Sequence, residues 1–427
     1  MKTKLALLSL FISTLTFSEV INLKKFDIEV PSQFMVPYNG DESEFKDGFK
    51  TGFGSALAFK NINSDGTIEF YALTDRGPNA DIPKYLKDGK SVPGKFFPAP
   101  NFTPSIGILK VDSKKAEIID KIELKDSTGK NITGLPLPLN RIGSTGEVAL
   151  DLNMNSLNYD INGLDPEGIA IDKDGNFWIS DEYGPFIIKV DKNGKILEKL
   201  EPGNGLPEII KYRVPNRGVE GLTIDKNGNI YAAVQSTLNV EGKTKDTAIF
   251  TRILKINPTT KEVKTFAYPI DKNYKSNSAA KIGDIYAVDE DKILLIEQGK
   301  QKGKMENLIY LVDFSKADDI TDLGNLESAG KDLKVNLGKK KLLVDLRKHG
   351  WDTEKAEGLT LLPDNKTIAI INDNDFGMAI SEDVSPYHYN ENEKQLYLNN
   401  KATNQKLTLK KNTETSQLWL VTLKEEI

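Results

Sequence analysis

The sequence predicts an all-β fold, a β-propeller of five or six four-stranded blades carrying long loop insertions. Short runs of strand-forming residues recur along the 427-residue chain, divided by turns such as Asp172-Lys173-Asp174-Gly175-Asn176, where glycine supplies positive φ. One hairpin unit also returns almost position for position: Glu167-Gly168-Ile169-Ala170-Ile171-Asp172 is matched 53 residues later by Glu220-Gly221-Leu222-Thr223-Ile224-Asp225. Finally, the stretch from Glu167 to Leu200 holds four strand candidates, the dimension of a propeller blade, whose repeat is about 40 to 50 residues. A β-sandwich uses short strands too, but gives no reason for one opening motif to recur.

Length alone suggests two or three domains, a prior that the repeats override. Charged residues make up 28% with a formal net charge of −5, and the lysines are scattered, which argues against a nucleic-acid track. Lys2 and Lys4 precede an apolar run from Leu5 to Phe17, and Thr16-Phe17-Ser18 supplies small residues where a signal peptidase reads. Residues 1–18 are therefore expected to be a secretory signal cleaved near Ser18, and 19–427 one propeller domain, a secreted or periplasmic monomer. The run is shorter than the roughly 20 residues of a membrane span. Zero Cys removes disulfides, zinc-thiolate sites and thiol nucleophiles.

In chain order, Ile21 to Val30 reads as a strand that closes a ring with the C-terminus. Ser55 to Phe59 with Ile68 to Leu73 is a first hairpin, leading into Thr74-Asp75-Arg76-Gly77-Pro78. Residues 78–104, rich in Pro, Gly, Lys and Asn, read as a long loop. Ser105 to Val111 and Ala116 to Leu124 complete four strands, and 125–164 reads as a second surface insertion able to hide a sixth blade. After the units opening at Glu167 and Glu220 comes a weaker copy, Asp284 to Val288 with Lys292 to Ile296 and then Glu297-Gln298-Gly299. The last is Glu357-Gly358-Leu359 with Thr367 to Ile371, Asn372-Asp373-Asn374-Asp375 and Ser416 to Leu423. Helical periodicity is weak, with Ser315 to Asp319 the best candidate.

In a propeller every innermost strand starts on one face and every second strand ends there. That places Glu167, Glu220 and Glu357 with Asp75, Asp181, Glu182, Glu297, Asp373 and Asp375 around a single mouth. Crowded like charges raise one another's pKa unless a cation sits among them, and an oxygen-only set suits Ca²⁺ first, then Mg²⁺ or Mn²⁺. Taken singly, each acid is ordinary turn chemistry, but a structural turn has no need of Glu specifically, so the recurrence counts. Asp172, Asp174, Asp225 and Asn227 lie at the opposite end of their hairpins and are assigned to structure. Arg76 and Arg217 bring cations to the rim, where a planar fork matches phosphate or carboxylate. Only two His are present, His349 and His388, with no Gly-x-Ser-x-Gly and no Walker loop, so metal-assisted attack by water is the chemistry the inventory permits.

At these residues the sequence resembles the phytase-like family with esterase-like activity. The resemblance lies in Thr74-Asp75-Arg76-Gly77-Pro78-Asn79, Asp165-Pro166-Glu167-Gly168, Ser180-Asp181-Glu182-Tyr183-Gly184-Pro185, Asn216-Arg217-Gly218-Val219-Glu220-Gly221 and Ala356-Glu357-Gly358-Leu359. It implies a secreted, calcium-dependent propeller acting on phosphate esters or related esters. One departure is Gln298-Gly299 after Glu297, where the family tends to continue Arg-Asp-like. The candidate site that results has Glu167, Asp181 and Glu220 as catalytic carboxylates. Asp75, Glu167, Glu182, Glu220, Glu357, Asp373 and Asp375 are metal ligands, and Arg76, Arg217 and Tyr183 bind substrate. The alternatives are a calcium-dependent lactonase or carboxylesterase, with fewer oxyanion-binding Arg at the mouth, and a non-catalytic envelope protein whose metal holds the ring together.

Overall fold

Five hydrophobic seams organise the molecule, each filling the space between two consecutive β-sheets. The computed structural model describes residues 18–427, so the expected leader, apart from Ser18, lies outside the described residues. Among them are five four-stranded blades. Blade 1 is Ala56–Ile62, Ile68–Leu73, Ser105–Val111 and Ala116–Glu123. Blade 2 is Pro166–Ile171, Phe177–Asp181, Phe186–Val190 and Ile196–Pro202, and blade 3 is Val219–Ile224, Ile230–Val234, Phe250–Ile256 and Val263–Pro269. Blade 4 is Lys281–Asp289, Lys292–Gln301, Lys304–Asp313 and Lys339–Asp345. Blade 5 takes Gly358–Leu361, Thr367–Ile371 and Gln417–Leu423 from the C-terminal part and Val20–Glu29 from the start of the described chain.

Strand alternation explains the seams. In blade 2, Ile179 packs toward blade 1 with Ala56, Leu73 and Ile106, whereas its neighbour Trp178 packs toward blade 3 with Leu222, Ile230 and Leu254. The seam between blades 4 and 5 holds Leu294, Ile309, Ile368 and Trp419, and the one between blades 5 and 1 holds Phe70, Leu109, Ala369 and Leu418. Tyr231, Ile253, Ile282 and Leu295 complete the circle between blades 3 and 4. Closure is also made by the backbone: Val20–Glu29 runs antiparallel to Gln417–Leu423 and then pairs, parallel, at Ile28 and Glu29 with Ala116 and Glu117 of blade 1. The expected strand at Ile21 to Val30 is thus present, and the number of blades is five rather than six.

The hairpin turns far from the mouth are structural, as expected. Asp172 Oδ1 accepts from the amides of Asp174 and Asn176 at 3.0 and 2.9 Å, and Gly175 takes φ +80°. Asp225 repeats this with Asn227 and Asn229 at 2.9 Å each.

Three expectations need correction. Residues 78–104 are not a plain loop: Lys84–Lys87 pairs in parallel with Tyr387–Asn390, and Lys90–Val92 and Gly94–Phe96 add further strands. This small layer, with Tyr85, Phe96, Tyr387 and Tyr389 in its own core, joins the loops that leave the second strands of blades 1 and 5. Residues 125–164 are largely irregular, with one short strand at Val148–Leu150, but they are not superficial, since Ile132, Leu137 and Leu164 are buried in the seam between blades 1 and 2. Ser315 to Asp319 forms turns rather than a helix, and every helical segment among the described residues is a short 3-10 turn.

Candidate functional site

The strand pairing fixes which residues share a level around the axis. Counting from the partners Leu57/Ala72, Ile169/Ile179, Leu222/Ala232, Ile285/Leu295 and Leu359/Ile370, the position two residues before each inner-strand member is Ser55, Glu167, Glu220, Gly283 and Glu357. The position three residues after each second-strand member is Asp75, Glu182, Gln235, Gln298 and Asp373. Blades 1, 2, 3 and 5 therefore supply acids to one ring and blade 4 supplies none.

The Glu-Gly repeat has a local cause in both its residues. The pairing is irregular at Glu167 and at Glu220-Gly221, and bulges of this kind re-aim a side chain. The glycine that follows lets the next blade press against the axis. A Cβ on Gly168 would stand 2.7 Å from the Glu220 carbonyl, one on Gly221 2.7 Å from the Ile285 amide, and one on Gly358 2.8 Å from the Leu57 amide.

At the centre, one carboxylate oxygen each from Asp165, Glu167 and Glu182 lie within 4.8 Å of one another, all three residues buried. Oxygens bound to one Ca²⁺ at 2.3 to 2.6 Å stand about 3.3 to 5 Å apart, so the spacing fits a hard divalent cation. The donor chemistry agrees, because Asp165 Oδ2, Glu220 Oε2 and Gln235 Oε1 are buried and accept no hydrogen bond. Burial pushes the Glu167 carboxyl well above the ordinary range, helped by Glu220, Asp165, Glu182 and Glu357. Glu220 is raised likewise by burial, Glu182 and Glu357. Glu182 is pushed up to about 8 by burial and Asp165, against the pull of Lys281 and Arg76. Asp75, raised by burial, Asp373 and Asp165, joins the same field from blade 1.

On the blade 5 side an ammonium already stands among the acids. Lys355 Nζ donates to Asp373 and, at 2.8 Å, to Asp375, with Glu357 at 3.9 Å. Burial opposes its charge, but Asp373, Glu357 and Asp375 outweigh that and hold the ammonium well above its ordinary value. Burial still leaves Glu357 pushed up to about 7.

Of the seven residues expected as metal ligands, Glu167 and Glu182 lie in the central group, Glu357, Asp373 and Asp375 lie around Lys355, and Glu220 and Asp75 act on these groups as like charges. Asp181 is fully buried, but its carboxylate faces backbone, accepting from the amides of Asp165 at 2.8 Å, Tyr183 at 3.4 Å and Gly184 at 3.3 Å. That arrangement braces the turn. Tyr183 has no exposed surface and its hydroxyl donates to the Gly134 carbonyl at 2.6 Å, which removes it as a substrate contact. Arg217 donates to the Ser278 carbonyl at the rim of the seam between blades 3 and 4. Arg76 is at the cluster yet engaged there, 3.5 Å from Asp165, 3.6 Å from Glu147 and 3.2 Å from Asn216 Oδ1. Glu297, expected at the mouth, turns away to Tyr268 at 2.5 Å, Lys340 at 2.8 Å and Tyr274 at 2.9 Å.

The phytase-like family, described as esterase-like activity of phytase, matches residues 51–376. The chain belongs to this family. The matched span contains every carboxylate of the ring, while Val20–Glu29 and Gln417–Leu423 of blade 5 fall outside it. A phytase-like chain of this kind is also similar to an "Uncharacterized secreted protein" of Arthroderma benhamiae, 30% identical over 245 residues, 45% of this chain and 46% of the relative. The match thus spans about half the length of that relative. Among solved structures, virginiamycin B lyase from Staphylococcus aureus is similar at 12% identity and a TM-score of 0.30, over 82% of this chain and 95% of the other. PQQ-bound aldose sugar dehydrogenase from Streptomyces coelicolor is similar at 11% identity and a TM-score of 0.32, over 94% and 98%.

Several residues of the phytase-like site were not singled out from sequence. Asp165 is one of them, two residues before Glu167 in Asp165-Pro166-Glu167-Gly168. Lys355, two residues before Glu357, and Lys281, two before the Gly283 position, looked like members of a scattered lysine surface. Lys281 faces Glu182, Glu220 and Glu357 electrostatically, and among the described residues no hydrogen bond or close ion pair ties its ammonium. Gln235 donates to Glu182 at 2.9 Å. Among the described residues no helix is long and apolar enough to cross a membrane.

Proposed function

We propose that this chain is a secreted, metal-dependent hydrolase of phosphate esters, working as one propeller domain over 19–427 and as a monomer. The observation that carries it is the meeting of buried Asp165, Glu167 and Glu182 oxygens within 4.8 Å, where Asp165 Oδ2 accepts no hydrogen bond. These three residues would hold the cation, Ca²⁺ ahead of Mg²⁺ or Mn²⁺ by their oxygen-only chemistry. Bound there, the ion would polarise the ester and acidify a water. Glu220 suits the proton acceptor, since its Oε2 is unpartnered and its affinity for a proton is raised by burial and like charge. Lys281 takes the anion-facing part that sequence gave to Arg76 and Arg217, because its ammonium is untied.

A second reading, a carboxylic ester or lactone as substrate, has its own support: Arg76 and Arg217 are both engaged within the protein, leaving few groups to clamp a phosphoryl. The test is a Ca²⁺ titration of chelator-treated protein, read by melting temperature and by turnover of p-nitrophenyl phosphate, bis-p-nitrophenyl phosphate and a γ-lactone. Turnover of the phosphate substrates that is lost with chelator and with Glu167→Gln is the expected result. Lactone turnover alone selects the second reading. A rise in melting temperature with no turnover, and a Glu167→Gln variant that loses only stability, would leave the metal a structural role.

A further inference from the structure

The acids of the mouth fall into two groups that differ in what neutralises them. In the first, Asp165, Glu167 and Glu182 meet, with the neighbouring Glu220 Oε2 unpartnered and Asp165 Oδ2 accepting no hydrogen bond though 3.5 Å from Arg76 Nε. In the second, Asp373, Asp375 and Glu357 surround Lys355, with Asp75 adding to the same field. The backbone that carries Lys355 is fixed on both sides. Arg347 donates to the carbonyls of Trp351 at 3.1 Å and of Thr353, and the Ala356 amide donates to Gln298 Oε1 at 2.9 Å. The ammonium is therefore delivered into this group by a braced segment, not by a free surface side chain.

We propose that Lys355 is the built-in cation of the second group, so that the mouth takes one divalent ion where its acids would otherwise accept two. The proposal rests on the reading that places an ion at Asp165, Glu167 and Glu182. An ammonium is a compact point charge with three donors, and here it meets three carboxylates. Two-metal sites hold their ions about 3.5 to 4 Å apart, and Glu357, 3.9 Å from the Lys355 ammonium and acting on the Glu167 carboxyl as a like charge, faces both groups. A divalent ion entering the second group would have to expel Lys355 from Asp373 and Asp375 or sit against its ammonium, and Coulomb repulsion opposes the second arrangement.

Equilibrium dialysis of the chelator-treated mature chain against Ca²⁺ tests this without any substrate. The wild type should bind one ion per chain, Lys355→Met two, and Lys355→Arg one. Asp373→Asn added to Lys355→Met should return the count to one. Two ions on the wild type, or the same count on Lys355→Met as on the wild type, would overturn the proposal. The wild-type count decides even where Lys355→Met does not fold. No ion on the wild type but one on Lys355→Met would sink the metal reading of the first group and uphold the role of Lys355.

Discussion

Blades 4 and 5 are built on the same hairpin and stand side by side, yet they use equivalent positions in opposite ways. Blade 5 places Glu357, Gly358 and Asp373 where blade 4 has Gly283, Asp284 and Gln298. The acid of blade 4 has moved one residue along, and its carboxylate accepts the amides of Ile285 and Leu359 at 2.7 Å each, tying its own inner strand to that of blade 5. Gln298 is likewise occupied, taking Ala356 N–H and Asn307 Nδ2. A carboxylate with its oxygens filled by amides holds the ring together. One with an oxygen left over is available to a ligand. A carboxylate serves either purpose according to a shift of one residue along the strand.

The largest way to break this comparison is Glu167→Gln. It should lower Ca²⁺ affinity about 10- to 100-fold and turnover about 10²- to 10⁴-fold, measured by titration and steady-state assay, whereas Asp284→Asn should leave both near wild type. A loss of Ca²⁺ binding in Asp284→Asn at full stability would erase the distinction between the blades.

Stability against pH should separate them next. The folded carboxyls of Asp181, Glu182 and Glu357 are pushed up to about 7, about 8 and about 7 from ordinary values of 3.8, 4.5 and 4.5. Folding therefore favours the protonated forms, and that contribution is present at low pH and lost as pH rises from about 4 to about 8. The melting temperature of the metal-free chain should fall over this window. Excess Ca²⁺ should remove the part due to Glu182 but not the part due to Asp181, which faces backbone amides.

Asp284→Asn should cost about 1 to 3 kcal/mol in denaturant unfolding, because one amide loses its acceptor. Gly168→Ala and Gly221→Ala should cost a similar 1 to 3 kcal/mol or so by forcing neighbouring inner strands apart. The smallest effect is expected for Arg217→Ala, about 0.5 to 1.5 kcal/mol for a lost hydrogen bond to Ser278, with turnover unchanged. A large rise in KM there would restore Arg217 as a substrate contact.

The repeating hairpin was legible because the fold needs a local turn and a local close approach five times over, and both leave residues in fixed order. Glu167, Glu220 and Glu357 could be placed together from that order alone. Lys84–Lys87 was not legible, since its partner Tyr387–Asn390 lies about three hundred residues away and its own four residues do not alternate. Nor was the division between used and idle groups. Whether Tyr183 meets solvent or the Gly134 carbonyl, and whether Arg76 is free or held by Asp165 and Glu147, depends on side-chain directions set by residues distant in the chain.

The pairing of Phe26 with Leu418 makes one sheet out of the two extremities of the described polypeptide. Assembly of that sheet has to wait until Gln417–Leu423 has been synthesised, so Val20–Glu29 awaiting its partner stays open to proteases and to other molecules. Clipping at around residue 30 would unzip the circle at its join, and the bare edge of Gln417–Leu423 would then be the place where copies stick to one another.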